Sequence, residues 1–193
     1  MLAGTGKQIR CRCRSRDDAE NMTQAQELIV HATAVAISGA DVAAGVPVAG
    51  GSSDDRCAGS PLGVLLRGVS GRGKSDLALR LIDDGAQLIA DDQTVMRCAG
   101  DRILLSAPAA IAGRLEVRGL GIVPMPAVSD VPLALLIDLV EPGTVERLPQ
   151  PRVEALFGIA VPLLEIDPLE NSAPAKVRLA VRAAACGILN RLD

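Results

Sequence analysis

The chain of 193 residues has no Trp, no Tyr and a single Phe, Phe157, so its core must be filled by Leu, Val, Ile and Ala. It has one histidine, His31, which cannot build a His-rich metal site. The five cysteines (11, 13, 57, 98 and 186) are odd in number and form no C-x-x-C pair. That excludes a zinc cluster and a disulfide framework and fits a reducing cytosol. No run approaches the roughly 18 apolar residues of a membrane span. No apolar signal segment opens the chain, so a cytoplasmic protein without a membrane span is expected. A net charge of −3 leaves little for neutralising nucleic-acid phosphates, so no nucleic-acid partner is expected. Arg10, Arg12, Arg14 and Arg16 are the one basic alternation, and they fall in a polar, aperiodic stretch over residues 1–24 that reads as a flexible extension.

What is present is a phosphate-holding motif. Gly68-Val69-Ser70-Gly71-Arg72-Gly73-Lys74-Ser75 satisfies G-x-x-x-x-G-K-[ST] at every fixed position. Its glycines let successive N–H groups turn inward. Lys74 places a point charge on the β/γ-phosphates, and the Ser75 hydroxyl can ligate Mg²⁺. The preceding Leu62–Arg67 reads as a buried strand. Residues 74–84 carry apolar side chains at 77, 78, 81 and 82 and stop at Gly85, as a glycine-capped helix does. This order predicts a bound nucleoside triphosphate.

The remaining chain predicts a mixed sheet. Glu27–Ser38 reads as a first strand, and the Gly-, Ala- and Asp-rich residues 39–60 as an inserted loop. Gln87–Ala90 is a short strand ending in Asp91-Asp92. Thr94–Cys98 and Arg102–Ser106 form a hairpin, and Leu115–Val123 is interrupted by Gly119 and Gly121. Val131–Val140 is apolar enough to be buried on both faces. Arg152–Phe157 reads as a short helix, and 174–189 as a longer one opened by Ser172 or Pro174. Strands outnumber helices, so the class is α/β.

Two apolar strands end in an acid suited to metal or proton work: Gln87–Ala90 with Asp91-Asp92, and Val131–Val140 with Asp138. Adjacent carboxylates repel, which favours a proton acceptor near neutral pH. Asp138 is the alternative partner for a metal. Glu116 and Arg118 alternate with Leu115 and Val117, so a strand would point both charges to one side.

The loop and its helix, Leu88-Ile89-Ala90-Asp91-Asp92 and Leu115-Glu116-Val117-Arg118-Gly119-Leu120-Gly121-Ile122 together resemble the HPr kinase/phosphorylase family. His31-Ala32-Thr33 resembles the family's histidine-bearing strand. The likeness is close over about residues 26–140 and looser over 141–185. It implies a P-loop kinase domain similar to phosphoenolpyruvate carboxykinase, spanning residues 25–193 as a short catalytic-domain-only variant. It also implies Mg-ATP-dependent phosphorylation of a regulatory serine on HPr, the phosphocarrier of the sugar phosphotransferase system, by a homo-oligomer. Under it Asp91 is the base that takes the serine proton, with Asp92 supporting its position and charge. Ser75 and Glu116 hold Mg²⁺, Arg118 and His31 lie near the phosphates or the serine, and Asp138 loses its claim. Phosphorylase activity is not carried over. Two other readings are a small-molecule kinase with a lid at Arg147–Arg152 and a non-catalytic ATP-binding regulator.

Overall fold

The centre of the protein is a pair of strands that are aliphatic on both faces. A computed structural model describes residues 26–39, 60–186 and 189. The N-terminal extension and residues 40–59 of the inserted loop lie outside the described residues. In chain order the strands are β1 (Glu27–Val30), β2 (Thr33–Ile37), β3 (Leu62–Arg67), β4 (Gln87–Ala90), β5 (Thr94–Ala99), β6 (Arg102–Ser106), β7 (Arg114–Val117), β8 (Gly121–Pro124), β9 (Val131–Leu139), β10 (Arg152–Leu156) and β11 (Ile159–Ile166). The helices are α1 (Lys74–Asp83) and α2 (Ala173–Ala185).

Nine strands form one sheet in the order β1-β5-β6-β9-β3-β2-β4, with β10 and β11 joined through β9. The nine-residue β9 makes this branch possible. Its start pairs antiparallel with β6 at Val131 and Pro132, and its end pairs parallel with β11 from Leu136 to Leu139. Along its other edge β9 runs parallel to β3, with Leu65 opposite Leu136 and Arg67 opposite Asp138. The sheet is therefore mixed.

Alternation sends Val64, Leu66, Leu135 and Ile137 to the face covered by α1 and α2, against Leu77, Leu81, Val177 and Val181. Leu65 and Leu136 point the other way, into a second cluster with Ala34, Ala36, Met96, Leu105 and Phe157. No described helix covers that second face. The sheet curls so that β5, β6, β10 and β11 close it, and the run of small alanines in β2 suits the tight fit.

Gly63 shows how tight the centre is. A Cβ there would lie 2.9 Å from the Pro132 carbonyl oxygen and 3.0 Å from Leu105. Gly63→Ala is expected to lower unfolding free energy by about 1–3 kcal/mol, the cost of overpacking a core. Urea denaturation measures it, and a variant as stable as the parent would show that the β3–β9 backbone yields.

Helix α1 ends as the sequence predicts. Asp84 caps it, Gly85 N donates to Ile82 O (2.9 Å) and Ala86 N to Leu81 O (2.9 Å), the paired bonds of a Schellman motif. Arg178 of α2 donates to the Leu81 and Asp84 carbonyls, placing a cation at the helix C-terminus.

Three elements differ from the sequence reading. Glu27–Ser38 is two strands, because β1 pairs with β5 while β2 pairs with β3 and β4. The break at His31-Ala32 is held by Ala32 N donating to Asp92 O (3.1 Å) and Thr94 Oγ1 to Ala32 O (2.8 Å). Arg152–Leu156 is a strand, not a helix. Its Arg, Glu, Ala and Leu favour helix locally, but it pairs residue for residue with β11 through a two-residue turn at Phe157 (φ 52°) and Gly158 (φ 81°). The sequence reading assigns no element to Ile159–Ile166, which is β11. Helix α2 starts within a residue of expectation and ends at Ala185, with Cys186 as its cap.

Candidate active site

The Gly68–Ser75 loop leaves the C-terminal end of β3 and turns into α1. Gly68, Gly71 and Gly73 have φ of 152°, 80° and 93°, values that side chains other than glycine's adopt at a cost. Gly73 opens α1 without a side-chain cap bond, and the first turn of the helix, residues 73–76, lines the cleft. Lys74 Nζ folds back over the loop, donating to Gly68 O (2.8 Å) and Val69 O (3.3 Å). The cleft above has a volume of about 600 Å³ and is lined by residues 70–76 with Asp92, Glu116, Val117, Arg118, Pro168 and Leu169 among others.

Asp91 and Asp92 leave β4 in opposite directions. Gln93 N donates to Asp91 O (2.7 Å) across a three-residue turn centred on Asp92, whose φ is 65°. That left-handed value is uncommon outside glycine, and Asp is among the residues that tolerate it. The turn buries Asp91 and leaves Asp92 in the cleft mouth. Both Asp91 oxygens are engaged: Thr33 Oγ1 and Ser75 Oγ donate to Oδ1 (2.8 Å each), and Glu116 N donates to Oδ2 (3.0 Å). One carboxylate thus ties β2, α1 and β7 together.

Asp92 reaches the loop through His31. Asp92 Oδ1 is 3.1 Å from His31 Nδ1, and His31 Nε2 is 3.2 Å from Lys74 Nζ. An ammonium only donates, so Nε2 accepts from Lys74 and the ring proton is assigned to Nδ1, facing Asp92.

Burial holds the Lys74 ammonium below the ordinary lysine range, and the charges of Asp92 and then Asp91 oppose the shift. Only the charged form attracts phosphate. Polyphosphate affinity is therefore expected to fall as pH rises through this lowered pKa, before an ordinary lysine would titrate. Calorimetric titration between pH 7 and 10 tests this, and an affinity flat up to the ordinary lysine range would refute it.

Glu116 and Arg118 belong to the β7–β8 hairpin, a separate two-stranded sheet with Leu115 fully buried beneath it. Both charges line the cleft, and the Arg118 guanidinium lies 3.7 Å from where a Gly71 Cβ would stand. The structure thus brings together the loop, Asp91, Asp92, His31, Glu116 and Arg118. Asp138 is elsewhere: Arg67 holds it at 2.7 and 3.0 Å, and holds Glu154 at 2.8 Å through two further bonds. Glu154's bonds push the guanidinium above its already high pKa, partial burial opposes them and Asp138 adds to them, so this is a permanently charged brace. Arg152 pairs with Glu165 on the neighbouring strand, and no residue from 147 to 152 lines the cleft.

Sequence reasoning missed Thr33 as an anchor of Asp91, and it missed Pro168 and Leu169 in the cleft wall. Thr33 was visible only as a strand residue. The other two follow β11, a strand with no sequence assignment.

The donor set suits a hard cation. Ser75 offers a hydroxyl and Glu116 a carboxylate, with the Asp91 carboxylate behind Ser75, all oxygen ligands. Among the described residues no group of three or more His, Cys, Asp or Glu forms a metal cage. Mg²⁺ commonly takes only one or two protein ligands and completes its shell from phosphates and water.

The protein is of the mixed α/β class, a curled sheet with a glycine loop and a split pair of acids at one end. The sequence profile of the HPr Serine kinase C-terminal domain family matches residues 60–168, and the chain belongs to that family. It is 49% identical over 63 residues to the HPr kinase/phosphorylase of Exiguobacterium sp., covering 32% of this chain and 20% of that protein. It is 38% identical over 89 residues to that of Clostridium tetani, covering 46% and 28%. With that of Malacoplasma penetrans it shares 37% over 121 residues, covering 55% and 40%. The matched stretches thus take in no more than 40% of these relatives' own length. The solved structure of the Hpr(Ser) kinase/phosphatase from Coxiella burnetii superposes with a TM-score of 0.62 at 26% identity, covering 82% of this chain and 96% of that one. No described helix is long and apolar enough to cross a membrane.

Proposed function

We propose that this protein is a Mg-ATP-dependent kinase that phosphorylates a serine of HPr, using a P-loop at Gly68–Ser75 on a phosphoenolpyruvate-carboxykinase-like fold. The observation that carries the reading is the split of the two acids, one buried behind Ser75 and one exposed in the cleft mouth. Family membership supplies the acceptor class, because the relatives are HPr kinases.

The loop amides and Lys74 hold the β- and γ-phosphates, and Arg118 reaches the same phosphates from the β7–β8 hairpin. Ser75 and Glu116 would hold Mg²⁺, which when bound would neutralise charge on the phosphate oxygens. Asp91 is buried and accepts three hydrogen bonds, two at Oδ1 and one at Oδ2, and it does not line the cleft where the acceptor would enter. It orients Ser75 and the Glu116 backbone. Asp92 stands in the mouth of the cleft with Oδ1 on His31, and its Oδ2 takes the proton from the acceptor serine as Oγ bonds to the γ-phosphorus and the bond to the β-phosphate oxygen breaks, releasing ADP. This assigns to Asp92 the role that the family likeness alone gives to Asp91. His31 orients Asp92 through Nδ1–H and keeps Lys74 within reach. The protein works in the cytoplasm as a homo-oligomer on this reading.

The test is incubation with Mg-ATP and HPr, followed by mass-spectrometric mapping of phosphoserine. ATP binding with no phosphate on HPr would reject the acceptor and leave a nucleotide-binding regulator.

A further inference from the structure

The cleft has two chemically different flanks. The strand order puts β2 and β4 on one side of β3, and β9 and β11 on the other. Lys74, Asp92, Glu116 and Arg118 crowd the first side. On the second the cleft is lined by Val140 and Pro142 beyond β9 and by Pro168 and Leu169 beyond β11. The loop touches both: Gly71 lies beside Arg118, and a Cβ on Gly73 would stand 3.6 Å from the Pro168 ring.

Leu169 is held out on a braced support. Its side chain is 69% exposed at the cleft wall, yet the backbone around it is pinned. Leu169 N donates to the buried Asp167 (2.9 Å), and Arg80 of α1 donates to the carbonyls of Pro168 and Glu170 on either side. An aliphatic side chain on a rigid mount facing a cleft of about 600 Å³ is built to meet an apolar surface.

We propose that Leu169, with Pro168, Val140 and Pro142, is the seat of the nucleoside. This rests on the reading above that the loop binds a nucleoside triphosphate. With the γ-phosphate beside Asp92, the phosphate chain crosses the loop and directs the ribose and base to the opposite flank, where apolar contact removes the faces of the base from water. These four side chains carry no hydrogen-bonding group, and the nearby Arg72 is engaged by Glu141 at 3.1 Å. The side chains of this seat therefore do not read the base edge, and ATP and GTP are expected to bind alike. Sites that read a substrate by hydrogen bonds discriminate far more strongly than apolar ones.

Calorimetry on the full chain with Mg²⁺ tests the proposal with three probes: ATP, GTP and inorganic tripolyphosphate. Leu169→Ser is expected to weaken ATP about three- to tenfold, as lost apolar contact would, and to leave tripolyphosphate unchanged. In the parent chain ATP and GTP are expected to bind within about fivefold of each other. Unchanged ATP affinity in the variant overturns the seat. So does an equal loss for tripolyphosphate, which would place the effect in the loop. Failure of the parent chain to bind either ATP or tripolyphosphate rejects the phosphate-loop reading itself, and the seat with it.

Discussion

Replacing Asp92 by asparagine is expected to slow phosphoryl transfer by about 10²- to 10⁴-fold, the range for loss of a positioned general base. ATP affinity should change far less, because the loop amides are untouched and Lys74 keeps its bonds to Gly68 and Val69. The size of the effect follows from the turn. Asp92 sits at φ 65° with its carboxylate in the cleft mouth, so its amide replacement keeps the position and loses the ability to take a proton. Backbone strain held at such a position is often part of a mechanism. Single-turnover transfer to HPr beside calorimetric ATP binding separates the two quantities. Should Asp92→Asn transfer at the parent rate while Asp91→Asn is folded and inactive, the proton acceptor is Asp91, as the family likeness first implied.

The second large effect is on stability. Asp91→Ala would strand the Thr33 hydroxyl, the Ser75 hydroxyl and the Glu116 N–H around a buried site. An unsatisfied buried donor costs roughly 1–3 kcal/mol, and the hydroxyls can turn to other acceptors, so a total loss of about 3 kcal/mol is expected. Asp91→Asn should cost less. Its carbonyl oxygen can still accept from Thr33 and Ser75, but its NH₂ would face the Glu116 N–H, donor against donor. Chemical denaturation of the two variants gives the ordering. An Asp91→Ala protein as stable as the parent would mean that the three donors find water, and the anchoring role would fall. Transfer should suffer in both variants, since Ser75 and β7 lose their common tether.

These expectations depend on side chains that the sequence presents as neighbours and the fold separates. Asp91-Asp92 reads as a repelling pair, and from the sequence alone either could be the acceptor. A single turn with positive φ separates the two, burying one carboxylate and exposing the next. His31 falls inside a single expected strand, Glu27–Ser38, and only the family likeness gives it a place near the phosphates. It sits at a break because the chain changes pairing partners there, from β5 to β3 and β4, and hydropathy patterns do not register a change of partner. Asp138 looks like a strand-end acid with a claim on a metal. Only the parallel register of β3 and β9, which sets it opposite Arg67, shows that it is a brace.

The loop, the helix behind it with its glycine stop, the hairpin at 94–106 and the doubly buried strand at 131–140 were all legible in the sequence. Each rests on local physics: glycine's access to positive φ, the 3.6-residue period of a helix, and an apolar run too long for one face. The helix expected at 152–157, which is β10, and the unassigned β11 required the tertiary structure, because β11 is placed by its pairing with β9 and β10 by its pairing with β11, against its local preference. The same holds for the cleft's apolar flank and for the meeting of Thr33, Ser75, Asp91 and Glu116. Those groups come from strands and helices far apart in the chain, and only the order of strands in the curled sheet brings their ends together.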